Sequence, residues 1–246
     1  MSNRTVITFI FTLFGIFWIM TEMGCNRQRD YIIPTTWQIY PTTAGKYRIY
    51  RVSETTYTTA GPQTAEYYVK EEIGAVDTAL DNLQRPISQV TSYRSPLLAS
   101  GYDFTVDRLW AVYKDTTSFL EEIKDGRRYM LLKFPVYAGA QFTWNPFVHI
   151  DDSKEEKELY RYISADSSME VQGNTYEHCV FLQEGDKLED GKDSVGVTYR
   201  KAFSVYAPNV GKVYRYYKRK AYKGSGTNTI DTEKSRTIIE ELVEHN

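Results

Sequence analysis

The sequence predicts a mainly β protein: a strongly curved antiparallel sheet, a half-barrel or open barrel with little helix, preceded by an N-terminal signal segment. Three observations predict it. The composition is skewed, with 21 Tyr beside 11 Phe and 4 Trp in 246 residues, and with many Thr and Val, side chains that suit a pleated, half-buried surface. Alternating runs follow one another between short turns, and no long amphipathic helical pattern interrupts them. No stretch repeats at a fixed period, which argues against a solenoid or propeller. Exposed sheet edges invite aggregation, so such a sheet should curl, close or be covered.

The chain divides into a leader, 1–24, a short tether, 25–30, and a single β domain, 31–246. Arg4 is the only charge before an apolar run from Val6 to Met20. At 1.5 Å per residue that run covers about 22 Å of a hydrocarbon core of roughly 30 Å, so it has the length of a secretory core segment rather than of a membrane span. Glu22 ends the run and Gly24-Cys25 follows. A small residue before a cysteine in that place resembles the lipobox of bacterial lipoproteins. The resemblance implies cleavage before Cys25, a diacylglycerol on its thiol and acylation of the new amino group. Several acyl chains matter because a single one binds a bilayer only marginally. Glu22 departs from the pattern, which carries an apolar residue there. An uncleaved anchor or a plain secretory signal are the other readings, and each puts the domain outside the cytoplasm. Asn26 to Arg29 lacks the acidic residues that mark surface sorting in such proteins. The resemblance therefore implies the outer membrane of a Gram-negative bacterium, with the domain facing the periplasm.

The strands follow in order. Tyr31 to Tyr40, punctuated by Pro34 and Pro41, reads as an edge segment. Lys46 to Tyr57 and Thr64 to Val76 alternate around Thr59-Ala-Gly-Pro62 and form a hairpin. Asp77 to Leu83 has room for a short helical turn. Pro86 opens a third strand through Tyr93, and Phe104 to Lys114 is a fourth. Phe119 to Ile123 and Arg128 to Phe134 flank the hairpin signal Asp125-Gly126. Asp151 to Glu158 is a solvated charge run. Leu159 to Ser164 and Met169 to Gln172 read as two short strands, Thr175 to Gln183 as another, and Glu184 to Asp193 as an acidic hairpin loop. Ser194 to Tyr206 and Lys212 to Lys223 are long strands, and Gly224-Ser225-Gly226 is a turn. The tail, Arg236 to Glu244, fits a helical face or a closing strand, and the hairpin context favours the strand.

Two local patterns carry a second resemblance: Lys133-Phe134-Pro135 with Gly139 and Trp144, and Tyr206-Ala207-Pro208-Asn209-Val210-Gly211-Lys212-Val213-Tyr214. Together they resemble uncharacterised envelope lipoproteins built on a curved antiparallel sheet, related in shape to lipoprotein-carrier half-barrels. The resemblance covers the second half of the chain and implies a fold and a compartment, with no catalytic residues to carry over. The residues themselves read as structural. Pro208 cannot sit in a central strand, Gly211 supplies a turn, and Trp144 is free to cover one end of the core.

A net charge of −2 excludes a nucleic-acid binder by bulk charge. With Cys25 acylated, Cys179 has no intramolecular partner. It shares a strand face with Phe181 and reads as a buried, inert thiol, because His178 next to it points the other way. His149 and Asp151 have metal-like spacing without further ligands nearby, so neither a metal nor another cofactor is expected. Glu71-Glu72 and Glu121-Glu122 face opposite ways on their strands. No Ser, His and Asp are linked, and no Gly-rich phosphate loop follows a strand, so no enzyme is expected. Tyr47, Tyr67, Tyr113 and Tyr129 either project into the concavity, where they could stack on sugars or cradle acyl chains, or are ordinary strand residues. Arg215 and Arg219 belong to a basic, Tyr-rich strand that reads as a solvated face or as a site for an anionic group. The expected role is that of a lipid-anchored protein holding an apolar or glycan ligand. The alternative is a non-enzymatic accessory of an outer-membrane assembly, with a lipid, a glycan or an outer-membrane protein as partner.

Overall fold

The computed structural model describes residues 39–78, 85–98, 100–115, 118–146, 158–189, 198–222, 230–233 and 235–246, with the side chains of 187–189 and 198 excepted. The leader, Cys25, the tether, Tyr31 to Gln38, the expected turns at 79–84 and 224–226, and His149 with Asp151 lie outside the described residues.

Twelve strands form one antiparallel sheet: β1 (Tyr47–Thr58), β2 (Gly61–Asp77), β3 (Ile87–Pro96), β4 (Thr105–Lys114), β5 (Phe119–Lys124), β6 (Arg127–Lys133), β7 (Gln141–Thr143), β8 (Leu159–Val171), β9 (Asn174–Glu189), β10 (Thr198–Ala207), β11 (Gly211–Ala221) and β12 (Arg236–His245). Their order in space is β6-β5-β4-β3-β2-β1-β12-β11-β10-β9-β8-β7. Every neighbour in sequence is a neighbour in space except β6 and β7, and the first strand pairs with the last. The meander is thus nearly closed into a barrel whose seam falls in mid-sequence.

The tail is a strand, as its context favours: Arg236–His245 runs antiparallel to β1, from Thr56↔Arg236 to Arg48↔His245. The Asp125-Gly126 turn has both central residues at positive φ, 52° and 74°, which matches the twist of the flanking strands. Three expectations are corrected. Leu159 to Val171 is one strand rather than two, because its interruptions are bulges near Ser164 and Ser167 that leave the ladder to β9 running. The acidic loop begins later than Glu184, since β9 continues to Glu189 and pairs with β10 throughout. A short strand, β7, lies just before Trp144, where no alternation is long enough to reveal it.

Alternation along each strand sorts the core. Val180 and Leu182 face one cluster with Ile73, Val90, Val112, Leu120, Leu132 and Tyr206, drawn from strands on both halves of the sheet and capped by Ile39, Tyr40, Phe134 and Val136. Cys179 and Phe181 face a second cluster, with Val171, Val205 and Val213. The β8–β9 hairpin reaches β12, where Gln172 Nε2 donates to Glu241 Oε2 at 2.6 Å.

Backbone and side-chain bonds cross the seam among the described residues. Met130 N donates to Trp144 O at 2.7 Å. The buried Tyr162 hydroxyl accepts from Lys133 N and donates to Lys133 O, each at 2.8 Å. Tyr162→Phe keeps the ring and removes both bonds, leaving the two Lys133 groups unsatisfied beside it. The expected loss is about 2 kcal/mol in the urea unfolding free energy.

Candidate functional site

Strand alternation also builds a polar interior. Ser204, Arg215 and Glu240 stand in one row across β10, β11 and β12. Glu184 enters beside them because it is the extra residue of a bulge in β9, opposite the step from Ala202 to Phe203. Lys212 lies next to a second irregularity, between Val205 and Tyr206. Arg48 and Glu71 face each other across β1 and β2.

The side chains form a chain of alternating charge. Arg48 Nε lies 3.6 Å from Glu71, and Lys212 Nζ lies 3.6 Å from Glu71 and 2.6 Å from Glu240. Arg215 lies 3.9 Å from Glu240 and 2.9 Å from Glu184. The Ser204 hydroxyl donates to Glu184 Oε1. Three cations and three carboxylates therefore neutralise one another. Arg48, only 2 % exposed, is further held by Nη2–H donating to the Tyr40 hydroxyl at 2.9 Å and by Nη1–H donating to Val210 O at 3.4 Å. Gly211, at φ 99°, gives it room: a Cβ there would stand 2.6 Å from Arg48 Nη1.

The surroundings tune these groups. Burial pushes the Tyr40 hydroxyl up to about 12. Burial works against the charge of Lys212, but Glu240 and Glu71 outweigh it and raise its pKa. Burial alone would raise the Glu240 carboxyl, but Lys212 and Arg215 outweigh it and hold it below its ordinary value. A depressed carboxylate stabilises the fold above its unfolded pKa of about 4.3, and that stability is lost as pH falls through the folded value. The urea midpoint should therefore hold steady from pH 7 to about 5.5 and drop below about 4.3. Glu240→Gln should start lower and drop less; an equal acid-induced drop in both proteins would refute the linkage.

Above this chain of charges lies a cavity of about 290 Å³, lined by Tyr40, Glu71, Glu122, Lys124, Asp125, Tyr129, Leu131, Trp144, Tyr160, Glu184, Ser204, Tyr206, Lys212 and Arg215. Residues from β2, β5, β6, β8, β9, β10 and β11 meet there, so it occupies the barrel interior. One wall is aromatic. Trp144 stacks on Tyr129 at 4.3 Å between centroids and on Tyr160 at 5.7 Å, both at 14° between planes. The other wall carries the carboxylates of Glu71 and Glu184 and the cations of Lys212 and Arg215. At the turn, Lys124 pairs with Glu122 at 2.7 Å.

Of the residues singled out by sequence, Tyr129 and Arg215 meet in this cavity. Tyr47 binds Glu244 through its hydroxyl at 2.6 Å, Tyr67 binds Glu54 at 3.0 Å, and Tyr113 lies against Phe119 and the Arg85 guanidinium. Arg219 lies outside the lining, opposite Arg200 and Arg236. Trp144 packs half-buried against the first core cluster, and its stack with Tyr129 and Tyr160 also makes it a wall of the cavity. Glu184, Lys212 and Glu240 gave no sequence signal as a set, since the bulges that gather them are set by pairing. Glu71 and Glu72 do face opposite ways, the first into the cavity and the second towards Lys70 at 2.7 Å. Glu121 and Glu122 divide likewise, Glu121 being fully buried between Arg85 and Arg128.

Cys179 is buried, and burial pushes its thiol up to about 11. His178 next to it adopts φ 56° at a bulge and turns out to Asp166 at 2.6 Å. Comparison of the chain with protein-family models, with curated proteins and with solved structures finds no match.

Proposed function

We propose that this chain is a lipid-anchored envelope lipoprotein whose barrel holds a hydroxyl-rich ligand, a glycan rather than an acyl chain, in its interior cavity. The observation that carries the reading is the cavity of about 290 Å³ with an aromatic stack on one wall and buried carboxylates and cations on the other. Its volume is near the lower bound, about 300 Å³, of small-molecule sites. Aromatic faces pack against the apolar faces of sugar rings, while carboxylates accept from hydroxyl groups and cations donate to ring and hydroxyl oxygens. An acyl chain would take water from these charged groups and offer them no hydrogen bond in return, which disfavours it. The anchor reading rests on Gly24-Cys25 at the end of the apolar leader, and the resemblance of that leader and tether to envelope lipoproteins supports a barrel at the outer membrane, facing the periplasm. No catalytic step is part of this reading.

Protein purified with its anchor should release a glycan on denaturation, detected by mass spectrometry. Retention of lipid, or of nothing, would overturn the ligand reading. Cys25→Ser should abolish acyl labelling and free the domain from membranes; persistent labelling would overturn the anchor.

A second reading, an accessory of an outer-membrane assembly, draws on a different observation. Leu97, Leu98, Tyr102, Val106 and Leu109 on and around the β3–β4 connection are each 42–62 % exposed, an apolar group suited to a protein contact. A stable protein partner co-purifying with a ligand-free barrel would favour it.

A further inference from the structure

The strand register stacks three rows on the inner face of β10, β11 and β12. The deepest is Ser204↔Arg215↔Glu240, at the cavity. Two residues on along each strand comes Ala202↔Tyr217↔Ile238. Two further stands Arg200↔Arg219↔Arg236, three arginines opposite one another on consecutive strands. No register shift separates the three rows on these strands, so alternation keeps them on one face. At about 3.4 Å per residue, the arginine row lies roughly 14 Å beyond the cavity row.

Among the described residues, only Arg200 of the three is neutralised. Arg200 binds Glu158 through two bonds of 2.6 and 2.7 Å, and it donates to Glu184 O at 3.1 Å. A Cβ on Gly185 would stand 2.7 Å from Arg200 Nε, so Gly185 is what admits this guanidinium. Arg219 and Arg236 make no ion pair among the described residues, and Arg236 rests over the Tyr217 ring at 5.5 Å. Like charges directly opposite on neighbouring strands destabilise a sheet. Guanidinium groups side by side present paired N–H donors that match carboxylate and phosphate oxygens, which would relieve that repulsion.

We infer that Arg219 and Arg236, in register with the neutralised Arg200, form an anion subsite at the mouth of the barrel, and that the ligand is an acidic oligosaccharide. One of its carboxylates or phosphates sits on the arginine row, its middle passes Tyr217, and its far end enters the Trp144 cavity. This inference rests on the glycan reading of the cavity.

Titration calorimetry on the full chain in detergent, at low ionic strength, tests it with trigalacturonate, with neutral maltotriose and with inorganic phosphate. Trigalacturonate should bind at least about tenfold more tightly than maltotriose, and phosphate should compete with it. In Arg219→Gln/Arg236→Gln that advantage should disappear, while maltotriose affinity stays unchanged. The melting temperature of this variant without anions should equal or exceed that of the parent, because a repulsion is gone; this checks that it folds. Where the parent binds both saccharides, unchanged trigalacturonate affinity in the variant, or no preference for it over maltotriose in the parent, overturns the anion subsite. Trp144→Ala separates the two claims. If it weakens both saccharides while the arginine variant changes neither, the cavity reading stands and the subsite fails. If phosphate binding depends on the arginines but neither saccharide binds, the subsite stands as an anion site and both the glycan reading and the acidic-oligosaccharide identification fall.

Discussion

Glu184→Ala should lower the unfolding free energy by about 3 kcal/mol, the cost of leaving a buried cation without its partner. Glu184 is 5 % exposed, accepts from Ser204, and holds Arg215 through Nε at 3.2 Å and Nη2 at 2.9 Å. The carboxylate of Glu184 is the chief cause of the raised pKa of Arg215. Arg215 keeps 34 % of its side chain exposed, so water takes up part of the loss, and the low end of the range for a broken buried pair is the right expectation. Loss should not stop at one pair. Arg215 would turn to Glu240, already shared with Lys212, and the alternation from Arg48 onward would be left with a surplus cation. Glu184→Ala combined with Arg215→Met should therefore be less destabilised than the single change, because the stranded charge is removed with its partner. Urea unfolding of the three proteins measures it. A single-variant loss under about 0.5 kcal/mol would place the pair among ordinary solvated ion pairs.

Trp144→Ala should be comparably costly, about 3 kcal/mol, and should also abolish glycan binding. Trp144 is the middle ring of the Tyr129–Trp144–Tyr160 stack, and its backbone crosses the seam to Met130. The truncation leaves that backbone bond in place but removes two ring contacts, each worth about 1 kcal/mol beyond the buried area. Trp144→Phe should restore most of the stability, since one ring can still lie between the tyrosines, and only part of the binding. A variant that loses stability while holding its ligand at parental affinity would show that the stack serves the seam alone. Calorimetry beside urea unfolding separates the two effects.

Much of the fold was legible because strands write their alternation into local sequence. Lys46 to Tyr57 and Thr64 to Val76 announce a hairpin, and Asp125-Gly126 announces another. The boundaries of β8 and β9 were not legible. Ser164, Ser167 and Glu184 look like breaks, yet they lie at bulges that the partner strands hold in the ladder. β7 was missed because three residues are too few to show a period, and its strand state comes from pairing with Leu159 to Arg161.

The site follows the same division. Tyr129 and Arg215 could be picked out as an aromatic in a strand and a cation in a basic run, and both line the cavity. Tyr47, Tyr67, Tyr113 and Arg219 had the same local credentials and lie elsewhere, since residue type and alternation give a face but not a height along the barrel. The chain by itself determined the β class, the antiparallel meander and the face on which most side chains lie, because a period of two is a local property. Only the tertiary structure decided that β1 pairs with β12, that the seam falls between β6 and β7, and that Glu71, Lys212, Glu240, Arg215 and Glu184 meet in one line. Those outcomes depend on register between residues up to about two hundred positions apart, as in Arg48↔His245, and on bulges that exist only once two strands are paired.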